Sequence, residues 1–264
     1  LIDFLLKENK PVEFELLEAV LTHDIEIVEL VLKYNNKPSF INQKSYKGTA
    51  ICIAASDGNL DIVKLLLSIP GIDPSITVHN LNPLLSAINS FDNEIIDSIV
   101  NFYLDKENQP KGFFENAIAF IQYNYFQAGI THDKNEWDIV KNLFRIKSID
   151  PNICFINENV ECDSFLYMAC YDNEIDAVEY FLSLENIDVN KCDSNSLYSP
   201  LMISIEKGNI EIVKLLLKNP KIDINWRNID DESALSTAVK KELIEIIDLI
   251  INDKRFDPFE TKLN

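Results

Sequence analysis

The same short segment occurs twice in this chain with only conservative changes. Residues 58–67 read GNLDIVKLLL, and residues 208–217 read GNIEIVKLLL. Fainter copies of the segment lie before, between and after these two. Self-similarity of this kind is the sequence signature of a repeat array, in which each unit packs on its neighbours and the units together form an extended surface. The repeat therefore constrains the fold class more than any other signal, and it favours a binding surface over a buried pocket.

Two positions in each unit measure the period of the repeat. A small residue in a predicted first helix is followed nine residues later by a β-branched residue in a predicted second helix. These anchor pairs are Ala19/Val28, Ala54/Val63, Ala87/Ile96, Ala169/Val178, Ser204/Val213 and Ala238/Ile247. In one longer unit, Ala117 and Val140 take the same positions with extra residues between them. The spacing corresponds to a period of about 33–35 residues, which two classes of helical repeat share.

The links after the second helices distinguish the two classes. They alternate apolar residues with Asp and Asn, as in IDVN at 187–190 and IDIN at 222–225. Asx side chains turn the chain locally, so this stretch predicts the first arm of a short hairpin and not a direct helix–helix turn. The first helices begin with SPLMIS at 199–204 and TAICIA at 49–54. In these motifs the chain resembles the ankyrin-repeat family, although the histidine of that family's TPLHxA motif is absent from every unit.

The resemblance implies an all-α, ankyrin-repeat solenoid of about seven helix–turn–helix units with short hairpin links. We expect a single array over residues 1–264. Its units are a partial unit at 1–10 and full units near 11–43, 44–76, 77–109, 110–153, 154–191, 192–226 and 227–259. Because residues 1–6, LIDFLL, match the middle of a second helix, we expect a slice of a longer polypeptide. The alternative is an N-terminal half-repeat that acts as its own cap.

Two units carry extra residues. One insertion reads IQYNYFQAGITHDKN at 121–135, and its aromatic start predicts an extended first helix followed by a loop from Gly129 to Asn135. The other lengthens the hairpin between Asn152 and Ser164. Insertions in repeat arrays map to one face, often the binding face. The first insertion is therefore either functional or additional core and padding.

The net charge restricts the class of partner. The chain has 43 acidic and 24 basic residues, for a formal net charge of −19. Such a field repels phosphate backbones and anionic lipid, so we expect neither nucleic acid nor membrane as a partner. It attracts basic proteins or peptides, although high charge also simply favours solubility.

The inventory of reactive residues is poor in catalytic and metal-binding patterns. The five cysteines have no CxxC spacing. The chain has only three histidines, and they lie in other units than most of the cysteines. Buried thiols in a reducing compartment account for the cysteines, so we expect a cytoplasmic protein. With six glycines the chain has no phosphate-cradling loop. We therefore expect no catalysis, no metal and no cofactor within these residues.

The resemblance also implies where a partner binds. Ankyrin repeats meet ligands mostly at the hairpin tips and the adjoining face of the first helices. Transferred by position relative to the anchors, the candidate partner-binding residues are Tyr46, Asp57, His79, Asp163, Tyr171, Asp172, Tyr198, Glu206, Asp230 and Glu232. The tyrosines are of most interest because aromatic side chains dominate interface energies, but their rings could equally pack on the next hairpin. Asn190 and Asn225 resemble asparagines that are hydroxylated in this family, although an Asn there stabilises a hairpin in any case.

These observations favour a non-enzymatic protein–protein interaction scaffold that presents a groove of hairpins and first helices. One alternative is the substrate-targeting arm of a larger enzyme, such as a kinase or a ubiquitin-ligase subunit, whose catalytic part lies outside this segment. Another is a structural component of a cytoskeletal or other large assembly. One scaffold serves many partners, so the partner's identity does not follow from the fold.

Overall fold

The computed structural model describes residues 16–79, 81–104, 110, 112–128, 134–154, 156–157, 160–161 and 163–258. Only the backbone is described for 123–128, 156–157 and 160–161. The predicted partial unit at 1–10 lies outside these residues. The described chain forms two compact units, with the division between Ala117 and Ile118.

The helices of the described residues come in seven consecutive pairs. The first unit contains α1 (Leu16–Val20), α2 (Ile25–Tyr34), a short α3 (Pro38–Ile41), α4 (Ala50–Ser56), α5 (Leu60–Leu67), α6 (Pro83–Asn89) and α7 (Asn93–Leu104). Next come α8 (Phe113–Ala128), in which the division falls, and α9 (Lys134–Leu143). The second unit continues with α10 (Phe165–Asp172), α11 (Ile175–Leu182), α12 (Pro200–Glu206), α13 (Ile210–Lys218), α14 (Ala234–Lys240) and α15 (Ile244–Ile251). The pairs α1/α2, α4/α5, α6/α7, α8/α9, α10/α11, α12/α13 and α14/α15 are called repeats 1 to 7.

Within each unit the helices stack in two layers. In the second unit the first helices α10, α12 and α14 pack side by side, and the second helices α9, α11, α13 and α15 form the other layer. In the first unit α1, α4 and α6 form one layer, and α2, α5 and α7 form the other. This arrangement confirms the predicted all-α solenoid fold.

Three of the first helices, α6, α12 and α14, begin where a polar capping residue is followed by Pro or Ala. The Ser199 side chain accepts a hydrogen bond from the Met202 amide, and Pro200 occupies the first helical turn, where its missing N–H costs nothing. Asn82 caps α6 in the same way, and Ser233 and Ser236 form a reciprocal capping box on α14.

The anchor residues form the core, as predicted. All of them are buried in repeats 1 to 6, and Ala54 and Ala169 are fully inaccessible. Ser204 is also fully buried, and its hydroxyl is satisfied by donating to the Pro200 carbonyl at 2.7 Å. Ile247, in the last described repeat, is only half-buried.

The links form short hairpins. Isolated antiparallel bridges join Ser45 to Gly48, Val78 to Leu81 and Arg227 to Ser233. In the lengthened link that precedes repeat 5, β1 (Ile156–Asn157) pairs antiparallel with β2 (Val160–Glu161). The described residues of this link thus include a two-stranded hairpin.

The insertion at 121–135 divides between helix and undescribed residues. Its aromatic start continues α8 to Ala128, which confirms the extended first helix. Ile121 and Gln122 are buried, so this part adds core. The predicted loop, Gly129 to Asn135, extends two residues too far, because Lys134 and Asn135 already belong to α9. Residues 129–133 lie outside the described part of the chain.

A bilayer-spanning segment is not found among the described helices, since none combines the required length with sufficient apolar character.

Candidate partner-binding surface

In the first unit, the predicted site residues are exposed at turns. Tyr46 lies at the tip of the Ser45–Gly48 hairpin with 80% of its surface accessible, and the Lys47 ammonium is 5.8 Å from its ring centre. His79 lies in the equivalent tip between Val78 and Leu81, with a positive φ of 50°. Asp57 caps the C-terminal end of α4 and is exposed. The two tips and the helix end are therefore open to solvent.

In the second unit, the C-terminal ends of the first helices contact one another across repeats. The Lys207 ammonium of repeat 6 lies 3.6 Å above the ring of Tyr171 in repeat 5. The Lys241 ammonium of repeat 7 lies 2.6 Å from a carboxylate oxygen of Glu206 in repeat 6. We call these four residues the helix-end strip. Tyr171 keeps 46% of its surface exposed, so the strip presents an aromatic face beside charged groups.

Asp172 has a structural contact on the same helix end. Its carboxylate accepts a hydrogen bond from the indole N–H of Trp137 at 3.2 Å. Trp137 is buried, so this bond satisfies the one polar atom of its ring. Asp172 therefore links α9 to α10 through one of its carboxylate oxygens.

The hairpin tip of repeat 6 is held by a carboxylate that sequence reasoning missed. Asp193 is buried and accepts hydrogen bonds from the backbone amides of Asn195, Ser196 and Tyr198. Asn228 takes the equivalent place in repeat 7, where its side-chain oxygen accepts from the amides of Asp230 and Glu232. An Asx residue at the same offset from two successive anchors is the signal that could have found them.

Tyr198 and Glu232, two of the predicted site residues, contact each other across successive repeats. The Tyr198 hydroxyl donates to a Glu232 carboxylate oxygen at 3.0 Å, and the other oxygen of Glu232 pairs with the Lys240 ammonium. Lys240 first, and then the Tyr198 hydroxyl, lower the pKa of the Glu232 carboxyl. Burial first, and then the Glu232 contact, raise the pKa of Tyr198 to about 12. The Tyr198 hydroxyl is thus bound to the next hairpin, whereas Asp230 is exposed there.

Asp163 lies at the start of α10 in a partly buried position. Its carboxylate accepts from the Ser194 amide at 3.3 Å, and its carbonyl accepts from the buried Gln122 amide group at 3.4 Å. Burial, with Asp193 as a smaller like-charge contribution, raises its carboxyl pKa to about 6 despite the stabilising Ser194 bond.

Recurring asparagines join the links that follow the second helices of successive repeats. Asn190 donates from its amide nitrogen to the Lys221 carbonyl at 2.7 Å and accepts the Asp223 amide on its oxygen at 2.8 Å. Asn42, Asn152 and Asn225 make the same pair of bonds to the next link. Both polar atoms of Asn190 and Asn225 therefore serve the stacking of links.

Reactive groups in the described residues do not converge. No cluster of His, Cys, Asp and Glu there could hold a metal ion. Cys52 and Cys170 are buried, and burial raises the Cys170 pKa to about 12, which leaves it a poor nucleophile. Cys162 lies outside the described part.

Comparisons with known proteins agree with this architecture. A family model described as "Ankyrin repeats (3 copies)" matches residues 16–109, 130–228 and 166–262. The NAD-dependent deacetylase sir2B of Dictyostelium discoideum is 24% identical over 232 residues, covering 87% of this chain and 28% of that protein. The putative ankyrin repeat protein FPV244 of fowlpox virus (strain NVSL) is 27% identical over 238 residues, covering 87% of this chain and 33% of that protein. The chain thus spans about a third or less of the length of these curated relatives.

Solved structures show the same fold at low identity. The human ASB11 ankyrin repeat domain superposes with a TM-score of 0.52 at 18% identity, covering 92% of this chain and 98% of that domain. The ankyrin repeat domain of Bcl-3, a member of the IkappaB protein family, superposes with a TM-score of 0.60 at 14% identity, covering 90% and 100%. Together with the family match over most of its length, these likenesses establish that the chain belongs to the ankyrin-repeat family.

Proposed function

We propose that this chain binds a protein or peptide partner through the helix-end strip and the neighbouring hairpin tips of its second unit. Ankyrin repeats are generally protein–protein interaction modules, and the fold is typically non-enzymatic. What carries the proposal for this chain is the contact of Tyr171 with Lys207 and of Glu206 with Lys241, because equivalent positions of successive repeats meet on one face.

Rigid presentation is the proposed mechanism. The Asp193 and Asn228 side chains hold two hairpins in fixed shapes, and the Tyr198–Glu232 bond couples one hairpin to the next. A partner then meets a surface that is already ordered, so that little conformational entropy is lost on binding. Tyr46, Asp57 and His79 form a separate candidate surface in the first unit.

The proposed partner is basic. The net charge of −19 attracts cationic proteins over distance. Glu206 and Glu232 are each paired with a lysine, so a basic partner would exchange those pairs for its own, while Asp230 is exposed. Buried Cys52 and Cys170 are consistent with a reducing compartment, and we propose the cytoplasm.

The test is the affinity of a partner obtained with the intact chain. Tyr171→Ala is expected to weaken binding about tenfold or more, as for an aromatic interface anchor, with little change in melting temperature because the ring is half exposed. Tyr34→Ala is the matched control, since Tyr34 is also exposed but lies at the end of α2, a second helix of the first unit.

Equal affinity of the Tyr171→Ala variant and the wild type would reject the helix-end strip as the binding surface. Loss of affinity only on changing Tyr46 would move the site to the first unit.

A second candidate function has one supporting observation. A protein named NAD-dependent deacetylase matches this chain over 28% of its own length. An array of this kind could thus serve as the targeting arm of a longer enzyme. Deletion of the array from the full-length protein should then lower turnover of a protein substrate and leave turnover of a short peptide unchanged.

A further inference from the structure

One arginine closes the space between the second helices of repeats 6 and 7. The Arg255 guanidinium donates to the Leu217 and Asn219 main-chain carbonyls, each at 2.7 Å, at the C-terminal end of α13. Its remaining N–H groups bind the Asp253 carboxylate at 2.9 and 2.7 Å. The C-terminal end of a helix carries unpaired carbonyls and a partial negative charge, so it is a good site for a cation.

The equivalent space between repeats 4 and 5 is open. Counted from the anchors Val140, Val178, Val213 and Ile247, the residues matching Leu217 and Asn219 are Phe144 and Ile146. The residue matching Arg255 is Asn186, whose side chain is shorter and uncharged. A cleft of about 540 Å³ lies here, and Phe144, Ile146 and Asn186 are among the residues that line it. The arginine that fills the equivalent space between repeats 6 and 7 is therefore missing between repeats 4 and 5.

Another interface shows that an open cleft is not inherent in the fold. In the link of repeat 2 the residue matching Arg255 is Gly71. A Cβ atom placed on Gly71 would lie only 2.9 Å from the Pro38 ring. There the space is closed by a proline and needs no cation.

The cleft between repeats 4 and 5 has the chemistry that an arginine side chain requires. Phe144 and Ile146 are buried and provide apolar contact for the methylene groups of an arginine side chain. Glu185 and Asp150 are exposed at its rim and carry two carboxylates, against the single ammonium of Lys147. Leu184 stands where Asp253 does beside Arg255, so a carboxylate partner for the guanidinium would come from Glu185, the next residue.

We propose that this cleft binds an arginine side chain of a separate protein or peptide partner. The guanidinium would take the place that Arg255 occupies two interfaces further along, donating to the Phe144 and Ile146 carbonyls and pairing with Glu185. Arginine suits the site better than lysine because its planar fork offers donors in several fixed directions, as the four contacts of Arg255 illustrate. The site lies at the second-helix ends and is independent of the helix-end strip.

The probe is a short, otherwise neutral peptide with one central arginine, titrated into the isotopically labelled chain and followed by NMR. The expected result is a shift of the amide signals at 144–150 and 183–186. A peptide with citrulline in place of arginine has the same shape without the charge, and it should bind about tenfold more weakly or worse, since charge-assisted hydrogen bonds are lost.

Asn186→Arg is the decisive variant, because it should fill the cleft from within as Arg255 does between repeats 6 and 7. The Asn186 contact with Asn152 uses the backbone carbonyl and survives the change. We expect this variant to melt a few degrees higher and to lose the peptide response, while Asn186→Gln, which adds length without charge, should retain it.

Three outcomes would overturn the proposal. Equal binding of the citrulline peptide would show that the charge is not recognised. Unchanged binding by Asn186→Arg would place the peptide elsewhere. Self-association of the chain that Asn186→Arg abolishes would make the occupant a second copy and not a separate partner.

Discussion

At the scale of single residues, one backbone conformation recurs at the turn between the two helices of a repeat. Gly58 and Gly208 take φ angles of 71° and 74° there, and Asn173 takes 62°. His23, Phe91 and Glu242 occupy the same position with φ between 54° and 59°. A left-handed residue ends the first helix in each case, and only glycine does so without steric cost.

Gly208→Ala should therefore lower the free energy of unfolding by about 1 kcal/mol, from the backbone conformation alone. No atom lies within 4 Å of a Cβ added at Gly208, so crowding does not contribute. Urea denaturation measures the change. Gly208→Asn is the control and should be close to neutral, since Asn173 adopts this conformation in repeat 5. An alanine variant as stable as the wild type would contradict the assigned φ.

Asp163 makes the stability depend on pH. Its carboxyl pKa rises from 3.8 to about 6 in the folded chain, so the folded state holds the proton more tightly than the unfolded state. The contribution of this residue is most favourable below about pH 4 and is lost as the pH rises through about 6. Asp163→Asn should therefore be more stable than the wild type at pH 7, with the difference shrinking toward pH 4.

The measurement is the melting temperature of both proteins at several pH values. Asp230→Asn, which removes an exposed carboxylate of a later hairpin, controls for the general effect of net charge. A stability difference for Asp163→Asn that stays constant between pH 4 and pH 7 would show that Asp163 titrates normally.

At the scale of elements, each link is tied to the next by an asparagine. The Asn190 side chain supplies one donor and one acceptor to the link that follows repeat 6. Its backbone amide donates to the Asp188 carboxylate at 3.0 Å. The Asp-x-Asn pattern thus turns the chain locally and joins neighbouring repeats at once. This dual use explains why the pattern recurs in the sequence without any need for modification.

Asn190→Ala should cost about 1–2 kcal/mol, because it removes two hydrogen bonds and leaves their backbone partners to water. The loss should be concentrated at the interface between repeats 5 and 6, as expected for nearest-neighbour coupling. Hydrogen exchange at Asp223 reports it directly. Asn195→Ala changes an exposed loop side chain and should be nearly silent; an equal loss there would remove the special role of Asn190.

Small anchors allow the first helices to approach closely. Ala54 is fully buried on α4, a helix that packs on both α1 and α6. Ala54→Asp would bury an unpaired carboxylate and should cost about 3–5 kcal/mol. The urea midpoint measures this cost, and Ser56→Asp, at an exposed position near the end of the same helix, should change it little. A midpoint for Ala54→Asp equal to that of the wild type would place Ala54 outside the core.

At the scale of the whole molecule, the excess of acidic residues should govern the rate of association. A basic partner is attracted by the −19 net charge, and salt screens charges more than about 8–10 Å apart near physiological ionic strength. The association rate should thus fall as salt rises, while the dissociation rate changes less. Tyr171→Ala should raise the dissociation rate and change the association rate less. An association rate that does not depend on salt would exclude electrostatic steering.

The sequence alone determined the repeat period, the helix pairs and the buried anchors. Ala54, Val63, Ala169 and Val178 could be predicted because a solenoid uses the same position for the same neighbour in every unit, so local spacing and burial coincide. The hairpin links were predictable for the same reason, since Asp-x-Asn turns are formed by residues close in sequence.

The tertiary structure alone decided which contacts the candidate site residues make within the chain. Tyr46 and Tyr198 both come from predicted tips, yet the first is exposed and the second is held by Glu232 of the next repeat. Likewise, Asp172 is bound by Trp137, and Arg255 closes one interface while Asn186 leaves another open. These outcomes depend on contacts between side chains about one repeat apart, whose reach and charge are not encoded in the spacing that identifies the fold.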